Sequence, residues 1–360
     1  MRNIGIIGLG LMGGSIAKTL RDSEKVGEIV GFDNDEGVLI KAFRDKVISS
    51  YTTKIDDKFS KVDVIFICTP VSTICNYIKE LSGYIKQDCV ITDIGSTKLN
   101  IVRAVEDMNI DRLFVGGHPM VGSEKIGYEN SKDFLFENAY YIITKSAKTN
   151  QNALNTVCDM ILELKALPII IDIEKHDFIT AAISHVPHVI ASSLVNMVAS
   201  LDGEDEYMHK LAAGGFKDIT RIASSSPIMW QNICIENKGE VLKVLNAFSD
   251  ILHKFKENIL KDNSNEVLDF FSKAKEYRDS FKNINPVYNV IYDFMVEIKD
   301  KPGAIADVAT MLSKSNINIK NMEILNNREN VEGILRILVE NSEARDMSIK
   351  VLNQNGYKIF

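Results

Sequence analysis

The first fourteen residues constrain this chain most: a short apolar run, Asn3-Ile-Gly-Ile-Ile, passes into Gly8-Leu-Gly10-Leu-Met-Gly13-Gly14. A Gly-x-Gly-x-x-Gly pattern is weak alone and gains meaning when a strand precedes it and a helix follows. Both conditions hold, with a strand expected over 3–8 and a helix opening near Leu11. In that setting Gly8 permits a tight turn, Gly10 lets the backbone approach a pyrophosphate, and Gly13 allows close helix–strand packing. Asp33 ends the next apolar run, twenty residues after Gly13, where an acid that binds a ribose hydroxyl belongs. A carboxylate there accepts from the 2′-hydroxyl of NAD and repels the extra phosphate of NADP, so NAD is the expected cofactor. The candidate cofactor contacts are Gly8, Leu9, Gly10, Leu11, Met12, Gly13 and Asp33, together with Thr69, Pro70 and Gly95.

Beyond the loop, short Val/Ile-rich runs at 3–8, 29–33, 62–68, 89–93, 113–117, 140–144 and 167–172 alternate with helical patterns. Runs this apolar fit strands covered on both faces, as in a doubly wound parallel α/β sheet. From about 174 to 281 the strand pattern stops and long helical stretches take over. Apolar residues lie almost all round the stretch Ile179-Thr-Ala-Ala-Ile-Ser-His185 to Leu201, which predicts burial on every side, in part against a second subunit. A break at Pro286, among three asparagines, precedes strand-helix-strand twice over, the ferredoxin-like order, with a turn at 326–330. Three domains are expected: 1–172, 173–285 and 286–360.

Composition narrows the partners. With 42 basic against 49 acidic residues the net charge is −7, and no Lys/Arg block stands out, so nucleic acid and anionic membrane are disfavoured. An anionic substrate would have to be caught by a few local cations. The five cysteines are odd in number and form no Cys-x-x-Cys, which fits reduced thiols in a cytoplasmic protein. The amino terminus does not read as a secretory signal, and no uninterrupted apolar run approaches the length of a spanning helix.

A nicotinamide implies hydride transfer, and oxidising an alcohol requires a base near neutral pH. Of the six histidines, His118 stands in Gly116-Gly-His118-Pro-Met-Val-Gly122-Ser123, directly after a predicted parallel strand, where ligands of such sheets bind. Flanking glycines would leave room for close approach. Thr92-Asp93-Ile-Gly95-Ser96-Thr97-Lys98 follows the preceding strand and opens on the same crevice. Ser96 could bond a substrate hydroxyl and the base, and Ser96 or Thr97 could cap the next helix. In the helical half, Pro187 would kink the helix and re-aim His188, while His185 reads as core. A metal reading of His176, His185 and His188 lacks a carboxylate or thiolate shell. Lys217 and Arg221, four apart beside Gly214-Gly215, suit a small dianion, with Asp218 as the alternative partner.

Taken together, GLGLMGGS, TDIGSTK, GGHPMVGSE, HDFITAAISHVPHVIA and GGFKDITRIA with PIMW resemble the prephenate/arogenate dehydrogenases of tyrosine biosynthesis, over roughly residues 1–281. The tail, DKPGAIADVATMLSKSNINI, resembles an ACT-type amino-acid-binding regulatory domain. The resemblance implies NAD-dependent oxidative decarboxylation of prephenate to 4-hydroxyphenylpyruvate, and the apolar helix points to a homodimer. It implies that His118 polarises the ring hydroxyl with Ser96 in support, and that Arg221 binds a substrate carboxylate. Ser123, His188, Lys217 and Trp230 would complete the substrate site. Val121 departs from the family's smaller residue, which bears on the choice between prephenate and arogenate. In the tail, tyrosine is the implied effector, with Gly303, Ala304 and Asn318 as its candidate contacts. A non-catalytic NAD- and amino-acid-sensing regulator is the rival, and it would have little reason to keep His118, Ser96 and Arg221 together.

Overall fold

Val64-Ile-Phe-Ile is buried on both faces near the middle of an eight-stranded sheet, as its unbroken apolar run requires. The computed structural model describes residues 1–122, 125–281, 292–325 and 333–360, which form two compact units, Met1–Asp250 and Ile251–Phe360. In the first, β1 (Arg2–Ile7), α1 (Leu11–Leu20), β2 (Val26–Phe32), α2 (Glu36–Arg44) and β3 (Ser50–Thr52) make the opening half. β4 (Val64–Ile67), α3 (Val71–Leu81), β5 (Val90–Asp93), α4 (Leu99–Asp107) and β6 (Phe114–Pro119) follow, then β7 (Tyr140–Thr144), α5 (Gln151–Glu163) and β8 (Leu167–Ile170). The strand order is β3-β2-β1-β4-β5-β6-β7-β8, so the chain reverses direction across the sheet between β1 and β4. That is where a doubly wound sheet opens a ligand crevice.

Alternating side chains feed two cores. Ile4, Ile6, Val64 and Phe66 pack with Ile16, Leu20, Leu39, Val157 and Ile161 on one face. Ile7, Ile65, Ile67 and Ile91 pack with Ile74, Ile78, Ile101 and Val105 on the other.

Two features depart from the sequence reading. β3 is only three residues of Ser-Tyr-Thr, too short and polar to register as an apolar run. The sheet is not wholly parallel, because β7 runs antiparallel to β6, with His118 opposite Ile142. The described pairing of β6 with parallel β5 ends at Val115, and the strand continues along β7. His118 therefore stands within a strand, not in the loop after it.

Next come α6 (Ile173–Thr180), a π turn at Ala181–His185, α7 (Val186–Leu201), α8 (Tyr207–Leu211), α9 (Gly214–Thr220), α10 (Pro227–Glu236), α11 (Lys238–Leu260) and α12 (Ser264–Ser280). Pro187, in the first turn of α7, offers no N–H to the preceding turn. A widened π turn stands just before it, a local adjustment of the backbone hydrogen bonding at the proline. The expected all-round burial is not met within the chain: only 28% of the apolar window of Ile173–Leu201 is buried, and Phe178, Ile183, Met197 and Leu201 are exposed. Among the described residues this is the one helix long and apolar enough to cross a membrane. Counting uninterrupted apolar runs passes over it because Glu174, Lys175 and Asp177 charge its first turns and His185 and His188 interrupt the remainder.

In the second unit Phe255 of α11 packs at a tilt on Phe270 and edge-on with Phe271 of α12. Further along, β9 (Tyr292–Ile298), α13 (Ala304–Lys314), β10 (Ile319–Leu325), β11 (Gly333–Val339) and α14 (Ser342–Gln354) build an antiparallel sheet ordered β10-β11-β9. Phe294, Val296, Leu335 and Ile337 meet Val308, Leu312 and Leu352 in its core. The strand expected at 357–360 is reduced to one bridge, Ile359 on Val296. The break expected at Pro286 and the turn at 326–330 lie outside the described residues.

Candidate active site

The glycine loop is fixed by its own packing. Gly8 has φ +92°, a left-handed conformation that strains other residues, and its N–H donates to the Phe32 carbonyl. A Cβ on Gly13 would stand 1.9 Å from the Gly8 carbonyl oxygen, so helix α1 can sit this close to the loop only with glycine there. At Gly10 a Cβ would meet nothing within 4 Å, so the backbone there borders open space. Gly10 is also the N-cap of α1, and no side chain caps it. Bare amides at a helix N-terminus, next to an open glycine, suit a pyrophosphate. Asp33 accepts from the Leu9 amide at 2.7 Å and from the Asp35 amide, which ties the acid to the loop. These residues fit a dinucleotide; the Leu9 side chain lies in the core and its amide is taken by Asp33.

Around His118 the structure assembles a group that sequence reasoning had only in pieces. The β6 strand holds the ring buried, with Nδ1 2.9 Å from Nε2 of His176. His176 in turn places Nδ1 2.7 Å from Oδ1 of Asp177. Asp177 also accepts from the amides of Lys98 and Leu99, at 2.8 and 3.0 Å. The cap of α4 is thus supplied by a carboxylate from α6, not by Ser96 or Thr97; the Thr97 hydroxyl is buried without a partner among the described residues. Burial, then the neighbouring His176, Lys98 and His185, hold His118 well below the ordinary histidine value. Its ring is neutral at pH 7, the form a base requires.

Asp93 and Lys98 form a fully buried ion pair beneath this group. Asp93 also accepts from the amides of Gly95 and Gly117. A Cβ on Gly116 would meet Thr144 Oγ1 at 2.3 Å and Lys98 Cδ at 3.0 Å. Gly116 and Gly117 therefore make room for internal packing, where the sequence suggested room for a ligand. Ser96 is half-buried in the same loop and, among the described residues, makes no hydrogen bond to His118. Thr69 accepts from the Thr73 hydroxyl, and Pro70 is the N-cap of α3.

A second cluster lies on the helices. The His188 ring stacks on Trp230, centroids 3.7 Å apart, while His185 meets the same indole edge-on at 6.0 Å. His185 is buried beside Asn237, whose amide also donates to the Asp177 carbonyl. Burial pushes His185 down to about 4. Trp230 Nε1 and His185 Nε2 are buried and unpaired among the described residues, and buried polar atoms ordinarily find partners. Lys217 is exposed on α9, and Arg221 opens the following 3-10 turn, against which α7 packs. Ser123 lies outside the described residues.

Asp177 and Asn237 are the site residues that sequence reasoning missed, and it placed Lys98 in the crevice without a role and weighed His176 only as a metal ligand. A His-Asp dipeptide at a helix start was the available signal, but its partners are 58 and 78 positions distant.

Comparison with known proteins accords with this arrangement. A family model described as prephenate dehydrogenase, nucleotide-binding domain, matches residues 16–170, and one described as prephenate dehydrogenase, dimerization domain, matches residues 172–273. A prephenate dehydrogenase of Bacillus subtilis is 34% identical over 346 residues, covering 94% of this chain and 92% of its own. One from Lactococcus lactis is 32% identical, covering 95% of each. Among solved structures, prephenate dehydrogenase from A. aeolicus in complex with hydroxyphenyl propionate and NAD+ is 36% identical with a TM-score of 0.74, over 78% of this chain and 98% of that one. The glycine loop, the buried neutral histidine and these matches lead to one conclusion: the chain belongs to the prephenate dehydrogenase family.

Proposed function

We propose that the chain is an NAD-dependent prephenate dehydrogenase in which His118 takes the proton of the ring hydroxyl. The observation that carries this assignment is His118 itself, a buried neutral imidazole with one ring nitrogen tied to His176. The bound nicotinamide supplies the hydride acceptor. The bare amides at the start of α1, approached past Gly10 with Gly8 and Gly13 shaping the turn, would hold its pyrophosphate, and Asp33 would accept from the ribose. Hydride and carbon dioxide loss together make an aromatic ring, so the protein has mainly to orient the substrate and accept one proton. Ser96 supports the hydroxyl. Arg221, with Lys217, His188 and Ser123, holds the carboxylates against an overall charge of −7, and Trp230 packs alongside.

The test is ultraviolet detection of NADH with prephenate, then with arogenate. Turnover of neither substrate would defeat the assignment, and faster turnover of arogenate would reassign the substrate. Arg221→Ala should raise KM for prephenate about 10- to 100-fold, the worth of a charge-assisted hydrogen bond, with a smaller change in kcat. An unchanged KM would remove Arg221 from the carboxylate site.

The division into domains 1–172, 173–285 and 286–360 belongs to the same proposal. So does a cytoplasmic homodimer formed through the helical region, whose exposed Met197, Leu201, Leu211 and Ile219 need a cover. The tail is assigned as an ACT-type domain that binds tyrosine. Its support is the antiparallel sheet packed on two helices, with Gly303 at φ +88° opening α13 before Ala304 and Asn318 near the start of β10. Tyrosine should lower the rate and give a heat of binding in calorimetry. Unchanged activity with no heat would overturn the effector role.

A further inference from the structure

Asp177 fixes the direction of a chain of hydrogen bonds. Burial pushes its carboxyl up, but the bonds from His176, Leu99 and Lys98 outweigh burial and leave it below the usual carboxylate value. The carboxylate can only accept, so Nδ1 of His176 carries a hydrogen and donates across 2.7 Å. His176 is held below the ordinary histidine value, chiefly by burial, and is neutral at pH 7. Its Nε2 is then a bare acceptor. The 2.9 Å contact to His118 Nδ1 is a hydrogen bond only if His118 donates. That leaves Nε2 of His118 without a hydrogen, which is the nitrogen a base must offer.

We propose that His176 and Asp177 are positioning residues that fix the tautomer of His118 and present its bare Nε2 to the substrate hydroxyl. The proposal rests on His118 being the base and deepens that assignment. The two residues act through His118, which His176 meets directly and Asp177 only through His176. They act as the third member of a nucleophile–base–orienter arrangement does, by setting which ring nitrogen is free and by steadying the imidazolium once the proton arrives. No proton passes to His176; the proton taken from the hydroxyl stays on His118 Nε2 until loss of carbon dioxide leaves a phenolate oxygen, to which it returns. The charged and titratable groups that act on His118 are His176 from α6, Lys98 just before α4, and His185 from the π turn; Asp177 and Asp93 pair with His176 and Lys98 in turn. Asp177 alone among them contacts both the histidine chain and the backbone of the Ser96–Lys98 loop side. The same carboxylate thus aligns the base and seats the helix that follows Ser96.

The test has two arms on the full chain. Proton–nitrogen correlation spectra with isotope-labelled histidine, assigned by the signal lost in His118→Asn, should show His118 protonated at Nδ1 and bare at Nε2. This is the opposite of the tautomer that free imidazole side chains favour in water. A hydrogen on Nε2 of His118 in the parent protein would overturn the proposal, whatever the enzyme's substrate proves to be. In the kinetic arm, His176→Leu should cut kcat about 10²- to 10⁴-fold without changing NAD affinity, the loss expected when a base is left in the wrong tautomer. His176→Gln, whose amide oxygen can still accept from His118 Nδ1, should recover at least a tenfold part of that loss. Equal activity of Leu and Gln variants, or a Leu variant near the parent rate, would overturn the positioning role. Asp177→Asn should shift the tautomer signals of both histidines. Failure of His118→Asn to slow turnover would sink the base assignment and leave the spectroscopic result standing by itself.

Discussion

Replacing His118 with Asn should reduce turnover about 10²- to 10⁴-fold, the usual contribution of a positioned general base, while NAD affinity stays at the parent value. The amide keeps a polar group in the strand position opposite Ile142 but has no basic nitrogen. NAD affinity should survive because the glycine loop lies between β1 and α1, with its own supports at Phe32, Asp33 and Cys68. The pH profile adds a second check. A base works unprotonated, and burial, reinforced by His176, Lys98 and His185, lowers the pH at which His118 gains a proton. Turnover in the parent should therefore persist as pH falls through 6.5 and decline only at more acidic values. A fall centred near 6.5 would mean that His118 is not the group being titrated. A variant within threefold of the parent rate would remove His118 from the chemistry.

What could be read from the sequence follows from distance along the chain. The glycine loop was fully legible, because strand, turn and helix lie within twenty residues and each glycine has a local reason. Most strands were legible for a similar reason, each apolar run reporting its own double-sided burial. β3 was not, since a polar tripeptide at a sheet edge is fixed by its neighbour β2 and not by its own composition. The direction of β7 could not be read either, because a strand pairs by register with a distant partner whatever its local pattern.

The site divides the same way. His118 and Arg221 carry chemistry in their own identity and were found. His176 and Asp177 became visible only once α6 was packed on α4, because their roles depend on which ring nitrogen and which amides they meet. Gly116 and Gly117 show the converse error. Glycines beside a candidate base suggest ligand access, yet their neighbours are Thr144, Lys98 and the Asp93 backbone. The apolar helix α7 was legible as a surface that needs cover, in part from a second subunit, and its own chain leaves most of its apolar window exposed.

The Asp93–Lys98 pair should give the largest stability effect. Both side chains are fully buried, and the Asp93 carboxylate also accepts from Gly95 and Gly117. Asp93→Asn keeps the shape but leaves the Lys98 ammonium in the core without a counter-charge. Removing one partner of a buried pair costs about 3–5 kcal/mol. A domain has only about 5–15 kcal/mol in total, so the urea midpoint of the first unit should fall steeply. Lys98→Met should be costly too, by stranding the carboxylate. The double variant Asp93→Asn with Lys98→Met leaves no unpaired charge and should unfold at a higher urea concentration than either single variant. A double variant no more stable than the singles would show that the pair is not coupled. The double variant also tests how the pair acts on the base. Lys98 is one of the charges that disfavour a proton on His118, so its removal should make that proton easier to gain. The acid decline in turnover should then move to higher pH, towards the ordinary histidine range, while the rate at pH 8 changes less. An acid limb that stays in place would place Lys98 in the scaffold alone.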